Sequence, residues 1–272
     1  PEGPSNQRNP PFRTRQLRFG LMMNFSKQQL MIIAAAREIR DHEVVFVGMR
    51  LPITAFGVAK LTHAPNAVGL FECGIVRNQP AKEMLYTMAD PPNQKEAAWC
   101  SGLVQVMGLL QGGRVDAGFI GGAEIDRFGN INSSYIGSHS QPKVKLPGSG
   151  GAADIAALSG RLIAIMNHEP RRLVEKVQYV TSTGFLEGGA DREKKGLQGG
   201  TSALITDLGV LKPHGAQHEL HLSSFHPGND PDEVISQTGW DLQLKPDIKE
   251  TPHPTSDELE ALSQIDPDGF WS

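Results

Sequence analysis

Gly69-Leu-Phe-Glu-Cys-Gly-Ile-Val76 is an apolar run interrupted by a single carboxylate, Glu72. The run indicates a buried strand that ends at Glu72 and turns at Gly74. An ionised carboxylate is costly to bury, so Glu72 is either satisfied by hydrogen bonds or used for chemistry. The segment alone leaves both interpretations open.

The segments before this run alternate between helix and strand patterns. Ser26-Lys-Gln-Gln29 is a capping box that begins a helix, Val44-Val-Phe-Val47 is a β-branched strand, and residues 51–61 are helical again. Residues 67–71 then form the strand that ends at Glu72. This order predicts parallel strands joined by crossovers, and therefore an α/β fold with an open, mostly parallel sheet and flanking helices.

The second half of the chain adds further strands and turns. Asp126-Arg-Phe-Gly-Asn130 is a turn sequence that predicts an antiparallel hairpin portion. Asp230-Pro-Asp-Glu233 is a helix start with Asp at the N-cap and Pro at the first helical position. We also predict a strand at Val177–Val180 and a Pro-rich linker at residues 245–256, before a last short helix.

Composition limits the classes of function. The chain has 272 residues, 39% apolar and 21% charged, which is typical of a globular protein. Its net charge of −4 argues against nucleic-acid binding, and no apolar run approaches the roughly 18 residues of a membrane helix. We interpret residues 23–272 as a single α/β domain and residues 1–22 as a disordered extension or a cloning remnant.

The cysteines and the histidines suggest no metal site. Only Cys73 and Cys100 are present, without a Cys-x-x-Cys pair, and no signal-peptide pattern opens the sequence, so a cytoplasmic protein is expected. His218, His221 and His226 are expected at the surface. Cys73 has no local His to activate it and is expected to pack.

A glycine-rich loop, Gly148-Ser149-Gly150-Gly151, leads into a helix that begins at Ala152. Consecutive glycines allow backbone N–H groups to turn inward, where they could hold an oxyanion. The loop has no Lys-Ser/Thr pair and is not a P-loop. A plain turn and helix cap is the alternative. Arg171-Arg172 could attract a phosphate or an acidic substrate, or could form a solvated turn.

Taken together, these segments resemble the β subunit of class I CoA-transferases, closest to the glutaconate CoA-transferase type. The matching segments follow the family order over nearly the whole body of the chain. They are His63-Ala-Pro65, Phe71-Glu-Cys-Gly74, Ile120-Gly-Gly-Ala-Glu-Ile-Asp126, Gly148-Ser-Gly-Gly-Ala152, His168-Glu169, Tyr179-Val-Thr-Ser182 and Pro231-Asp-Glu-Val234.

The resemblance implies a function and a site. Glu72 falls on the family's catalytic glutamate, which forms a mixed anhydride with an acyl group and then a glutamyl-CoA thioester. Gly148, Ser149, Gly150, Gly151 and Ala152 fall near the thioester as its oxyanion-binding loop. The family implies an α subunit as partner, acyl-CoA and carboxylic acids as substrates, and no tightly bound cofactor besides the CoA moiety.

One residue departs from the wider family pattern. Other class I enzymes carry Ser-Glu-Asn-Gly around the glutamate, whereas this chain has Phe71-Glu72-Cys73-Gly74. Some relatives with this fold hydrolyse CoA thioesters of ring compounds, so a hydrolase is the nearest alternative. A non-catalytic scaffold or sensor subunit is the other. Other relatives with this fold are decarboxylases, in which the glutamate is typically replaced, so retention of Glu72 favours transfer.

Overall fold

The computed structural model describes residues 25–272, which form helices on both faces of a long sheet. The helices are α1 (Lys27–Ala36), α2 (Leu51–Leu61), α3 (Pro91–Gln94), α4 (Leu103–Gln111), α5 (Ala152–Leu158), α6 (Asp191–Lys194), α7 (Pro231–Ser236) and α8 (Ser256–Ile265). The strands are β1 (Val44–Phe46), β2 (Val68–Phe71), β3 (Ile75–Arg77), β4 (Trp99–Cys100), β5 (Ala117–Ile120), β6 (Glu124–Asp126), β7 (Ile131–Asn132), β8 (Tyr135–Ser138), β9 (Gln141–Lys145), β10 (Arg161–Ile165), β11 (Leu173–Val174), β12 (Thr201–Ile205), β13 (Gly209–His214), β14 (Glu219–Phe225) and β15 (Leu244–Glu250).

The main sheet has ten strands in the order β15-β14-β13-β12-β10-β5-β1-β2-β3-β4. Its centre, from β12 to β2, is entirely parallel. Antiparallel strands extend it on both sides, β13 and β14 beyond β12 and β3 and β4 beyond β2. The predicted α/β fold with a mostly parallel open sheet is confirmed.

Two smaller sheets lie outside the main one. The predicted hairpin around residues 126–130 is formed by β6 and β7, which join β11 in a three-stranded sheet. Strands β8 and β9 form a separate two-stranded hairpin. The antiparallel portion predicted from the turn sequence is therefore present, but it does not belong to the main sheet.

Alternation along the central strands divides the core into two layers. In β1, Val45 packs with α1, α2 and α8, whereas Phe46 packs on the opposite face with residues of α4 and α5. Successive side chains of a strand point to opposite faces, so even a short strand can pack against helices on both faces of the sheet. The capping box at Ser26 is formed as predicted: Gln29 N–H donates to Ser26 Oγ at 2.9 Å.

Two local predictions are wrong, for identifiable reasons. Val177–Val180 is not a strand, because the Val177 N–H donates to the Asp126 carboxylate at 3.4 Å and the Gln178 N–H to Glu124 at 3.4 Å. The carboxylates of β6 therefore accept the backbone N–H hydrogen bonds that carbonyl oxygens of a neighbouring strand would otherwise accept. The expected linker contains β15, which pairs with β14 at the edge of the sheet, where a Pro is tolerated.

The predicted extension at residues 1–22 lies outside the described residues. Within residues 25–272, no helix has the length and apolar character required to cross a membrane.

Candidate active site

Glu72 lies directly after β2, at the carboxyl edge of the parallel strands. Strands β1, β5 and β10 run parallel to β2 and end at the same edge of the sheet, so the segments that follow them begin beside Glu72. Together they line a cleft of about 830 Å³, to which Glu72 contributes its side chain. Ligands of open α/β sheets bind at this edge, so Glu72 occupies the position at which a reactive group is expected.

The turn after Glu72 requires a glycine. Gly74 has a φ of +100°, a region that residues with a side chain rarely adopt. A Cβ at this position would lie 2.5 Å from the carbonyl oxygen of Ser101, whose N–H donates to Gly74 O at 2.8 Å. The chain is therefore held firmly just beyond Glu72, which fixes the direction of its side chain.

The glycine-rich loop reaches this carboxylate. The Gly151 N–H donates to Glu72 Oε1 at 3.0 Å, which brings together two motifs 79 residues apart in sequence. Glu72 is half-buried. Gly148 and Gly150 have φ values of +97° and +47°, so the loop uses backbone conformations that favour glycine.

The N–H groups of the loop are not equivalent. Gly148 N–H donates to Ser133 O at 2.9 Å, and Ala152 N–H donates to Ser149 O at 2.8 Å, so both hold the loop in shape. Gly151 N–H is on Glu72. Among residues 25–272, the N–H groups of Ser149 and Gly150 have no acceptor. They are the donors left for a ligand oxygen beside Glu72.

Three charged side chains line the cleft: Glu72, Arg50 and Arg172. Arg172 belongs to the pair that the sequence analysis singled out, whereas its neighbour Arg171 does not line the cleft. Sequence reasoning missed Arg50. It follows the end of β1 and adopts a φ of +69°, a strained conformation of the kind that often occurs at functional sites. Its position after a parallel strand was the available signal.

Cys73 does not pack, contrary to the prediction. It is exposed, and its thiol donates to Met88 O at 3.2 Å. Local desolvation raises the pKa of the Cys73 thiol, which keeps it protonated and a poor nucleophile. Cys100 is also a free thiol. Cys73 therefore flanks Glu72 without competing with it for nucleophilic chemistry.

The histidines do not gather into a metal centre. His218 stacks on Phe185 with ring centroids 4.4 Å apart. His226 is buried, so its expected surface position is wrong. Its ring contacts Thr251 Oγ1 at 2.9 Å and Thr206 O at 2.8 Å. Across residues 25–272, no group of three or more His, Cys, Asp or Glu side chains is placed to hold a metal ion.

Comparisons with known proteins agree with this arrangement. The model of the family described as coenzyme A transferase matches residues 29–237. The chain is 39% identical to the B subunit of 3-oxoadipate CoA-transferase from Pseudomonas knackmussii, over 90% of this chain and 95% of that protein. It is 34% identical to the B subunit of glutaconate CoA-transferase from Acidaminococcus fermentans, over 90% of this chain and 94% of that protein.

Structural similarity extends over the same length. The crystal structure of glutaconate coenzyme A-transferase from Acidaminococcus fermentans superposes with a TM-score of 0.85 at 31% identity, covering 91% of this chain and 97% of that chain. A more distant relative is the cholesterol ring-cleaving hydrolase IpdB subunit of Mycobacterium tuberculosis, 25% identical over 89% of this chain and 95% of that protein.

Proposed function

This chain belongs to the coenzyme A transferase family, and we propose that it is the β subunit of an enzyme that moves CoA between an acyl-CoA and a carboxylic acid, through a glutamyl-CoA thioester on Glu72. One observation carries the proposal. The Glu72 carboxylate sits at the carboxyl edge of the sheet, open to a cleft and held by the Gly151 N–H at 3.0 Å.

The proposed chemistry runs through two anhydrides. The Glu72 carboxylate attacks the thioester carbonyl of the acyl-CoA, which breaks the C–S bond and gives a mixed anhydride and the CoA thiolate. The thiolate attacks the glutamyl carbonyl, which forms the glutamyl-CoA thioester and releases the first carboxylate. An acceptor carboxylate then attacks this thioester, which expels the CoA thiolate and forms a second mixed anhydride. The thiolate attacks the acyl carbonyl of that anhydride, which gives the new acyl-CoA and expels the Glu72 carboxylate. Glu72 is regenerated as a carboxylate.

The glycine-rich loop supplies hydrogen bonds where negative charge develops. Gly151 N–H already contacts Glu72 Oε1, the oxygen that becomes the glutamyl carbonyl or its oxyanion. The unengaged N–H groups of Ser149 and Gly150 lie in the same loop and could serve the acyl oxygen. Loss of one such donor typically costs about 2.7–4 kcal/mol of transition-state stabilisation. Gly148 and Ala152 act by shaping the loop.

An α subunit is part of the proposal. The 3-oxoadipate and glutaconate relatives are each the B subunit of a CoA-transferase, and this chain spans at least 94% of each of them. The cleft beside Glu72 is open in this chain, so an α subunit could close it around the substrate. Exclusion of water from the cleft would protect the anhydride and the thioester from hydrolysis.

Covalent trapping tests the mechanism. The complex with its α subunit is incubated with acyl-CoA in the absence of an acceptor acid, and the intact mass of each chain is measured. We expect a CoA adduct on this chain, mapped to Glu72 by peptide mass spectrometry. Glu72→Gln should form no adduct, because the amide cannot act as the nucleophile. Wild-type turnover without an adduct, or unchanged activity of Glu72→Ala, would contradict the proposal and would fit a scaffold subunit.

A CoA-thioester hydrolase is the second candidate, favoured by the similarity to the ring-cleaving hydrolase subunit. In that case Glu72 would act as a base or a nucleophile, and water, rather than a carboxylic acid, would be the acceptor. Release of CoA is measured with and without an added carboxylic acid. A transferase requires the acid for continued turnover, whereas a hydrolase consumes the thioester at the same rate without it.

A further inference from the structure

Met107, on α4, covers a side of the active site that does not belong to the cleft. A Cβ placed on Gly151 would have three nearest neighbours: Glu72 Oε1 at 3.0 Å, Glu72 Cδ at 3.3 Å and Met107 Cε at 3.5 Å. The carboxylate and the methionine methyl group therefore lie against the same face of Gly151. Neither Gly151 nor Met107 lines the cleft, so the methyl group approaches the Glu72 carboxyl from outside it.

Neighbouring residues hold Met107 in this position. Val106 and Leu110 are fully buried and anchor α4 to the core, and Met107 is half-buried and packs against the same apolar cluster. Just before the helix, Ser101 donates to Gly74 O twice, with its N–H at 2.8 Å and its hydroxyl at 3.0 Å. The start of α4 is therefore tied to the turn of the active site, while its middle packs on the glycine-rich loop.

This side of the site is uncharged. No Asp, Glu, Lys, Arg or His occurs between Glu96 and Arg114, a stretch that includes all of α4. The charged groups that line the cleft besides Glu72 are two arginines, and a guanidinium cannot act as a general base. Among the described residues of α4 and of the cleft lining, no base therefore remains to activate water once Glu72 carries CoA.

We propose that Met107 determines the choice of acceptor, because it keeps water away from the glutamyl-CoA thioester while a carboxylic acid enters through the cleft. In the competing reaction, water adds to the glutamyl carbonyl carbon and the C–S bond breaks. The products are the Glu72 carboxylate, the CoA thiol and a proton released to solvent. The methyl group of Met107 offers an attacking water no strong hydrogen bond. This inference rests on the proposed function of Glu72, because it assumes that the thioester forms.

The lifetime of the CoA adduct tests the inference. The complex with its α subunit is loaded with acetyl-CoA or glutaryl-CoA, whichever gives more adduct, and rapid gel filtration removes the free thioester and the released acid. The intact mass of this chain is then followed over time in buffer without any carboxylic acid.

Four variants of the complex are compared with the wild type. Met107→Ala removes the covering side chain, and Met107→Gln keeps its length but offers hydrogen bonds to water. Met107→Leu keeps an apolar side chain of similar volume. Val104→Ala is the matched control, since Val104 lies one turn away on α4 and is 78% exposed. Thermal unfolding of each complex checks that it remains folded.

We expect the adduct of Met107→Ala and of Met107→Gln to hydrolyse about tenfold faster than that of the wild type, because water gains access to the thioester. The rate of adduct formation should change little, and Met107→Leu and Val104→Ala should match the wild type in both rates. A residue with a merely structural role would slow adduct formation and leave hydrolysis unchanged. That result, or equal acceleration by Val104→Ala, would overturn the proposal.

Adduct formation also separates this inference from the mechanism. If the wild-type complex turns over without an adduct, the function proposed for Glu72 fails and the role of Met107 fails with it. If the adduct forms and water removes it at the same rate from the wild type and from the Met107 variants, the function stands and the role of Met107 in acceptor choice fails.

Discussion

Glu72 and Asp126 are both carboxylates at the end of a strand, yet their surroundings differ. Asp126 is 2% exposed and accepts from the N–H groups of Phe128 and Asn130 at 3.0 Å, from the Asn130 side chain on both oxygens, and from the Val177 N–H. Glu72 is half-buried, opens onto the cleft, and accepts from Gly151 alone among the described residues.

The difference separates a structural carboxylate from a reactive one. Every contact of Asp126 ties neighbouring chain segments together, and no lone pair is left for a substrate. Burial raises the pKa of the Asp126 carboxyl, and the hydrogen bonds from Asn130 oppose that shift. Glu72 retains unoccupied lone pairs that face a cleft, which is what nucleophilic attack requires.

Replacing Asp126 by a neutral residue should reduce stability, whereas replacing Glu72 should reduce activity and leave stability nearly unchanged. Asp126→Ala leaves several buried N–H groups without an acceptor and should reduce the free energy of unfolding by about 3 kcal/mol or more. Glu72→Gln keeps the shape and the acceptor for Gly151 N–H, so its stability should change by less than about 1 kcal/mol. Its CoA-transfer activity should fall by several orders of magnitude.

Denaturant unfolding and initial rates of both variants provide the test. The comparison would fail if Glu72→Gln unfolded as readily as Asp126→Ala, because Glu72 would then be a structural carboxylate too. It would also fail if Asp126→Ala lost activity while remaining fully stable.

The fold was largely predictable because its local signals agree with its tertiary contacts. The capping box at Ser26, the helix at residues 51–61 and the strand that ends at Phe71 all lie where the sequence places them. The misassigned segment at Val177–Val180 has the β-branched composition of a strand. Its partners are side-chain carboxylates from residues about 50 positions away, which no local pattern shows.

The site was predictable in part. Glu72 and the glycine-rich loop were each visible in the sequence. The hydrogen bond from the Gly151 N–H to Glu72 was not, because it depends on the sheet that brings the ends of β2 and α5 together. For Arg50 the one signal was its position after a parallel strand, which is weak because a lone arginine after an apolar strand is common at surfaces. The pair at Arg171 and Arg172 was visible, but the structure was needed to show which of the two lines the cleft.

Two buried histidines, His168 and His226, should make the stability of the protein depend on pH. Burial lowers the pKa of both His168 and His226 from 6.5 to about 4. Both groups are therefore neutral in the folded protein near neutral pH, and the unfolded chain binds protons first as the pH falls. Their contribution to stability is complete above pH 6.5 and is lost as the pH falls towards 4. We expect the free energy of unfolding to drop by about 2 kcal/mol or more between pH 7 and pH 5.

Denaturant unfolding at a series of pH values measures this slope. His226→Asn should flatten it, since one of the two protons taken up on unfolding is removed, whereas exposed His139→Asn should leave it unchanged. A wild-type stability that is constant from pH 7 to pH 5 would show that burial does not keep the two imidazoles neutral in the folded protein.

Disturbing the hydrogen bond between the Gly151 N–H and Glu72 should have the smallest effect on activity. Gly151 has a φ of −80°, which alanine adopts without strain, so Gly151→Ala changes only the space beside the carboxylate. The added Cβ would lie 3.0 Å from Glu72 Oε1 and would push it away from the N–H donor. We expect kcat for CoA transfer to fall by about tenfold, or 1.4 kcal/mol, with stability nearly unchanged.

Gly108→Ala, on α4 with open space around the new Cβ, is the matched control and should retain full activity. If Gly151→Ala were as active as Gly108→Ala, the Gly151 N–H would only position the loop, and stabilisation of the oxyanion would fall to Ser149 and Gly150.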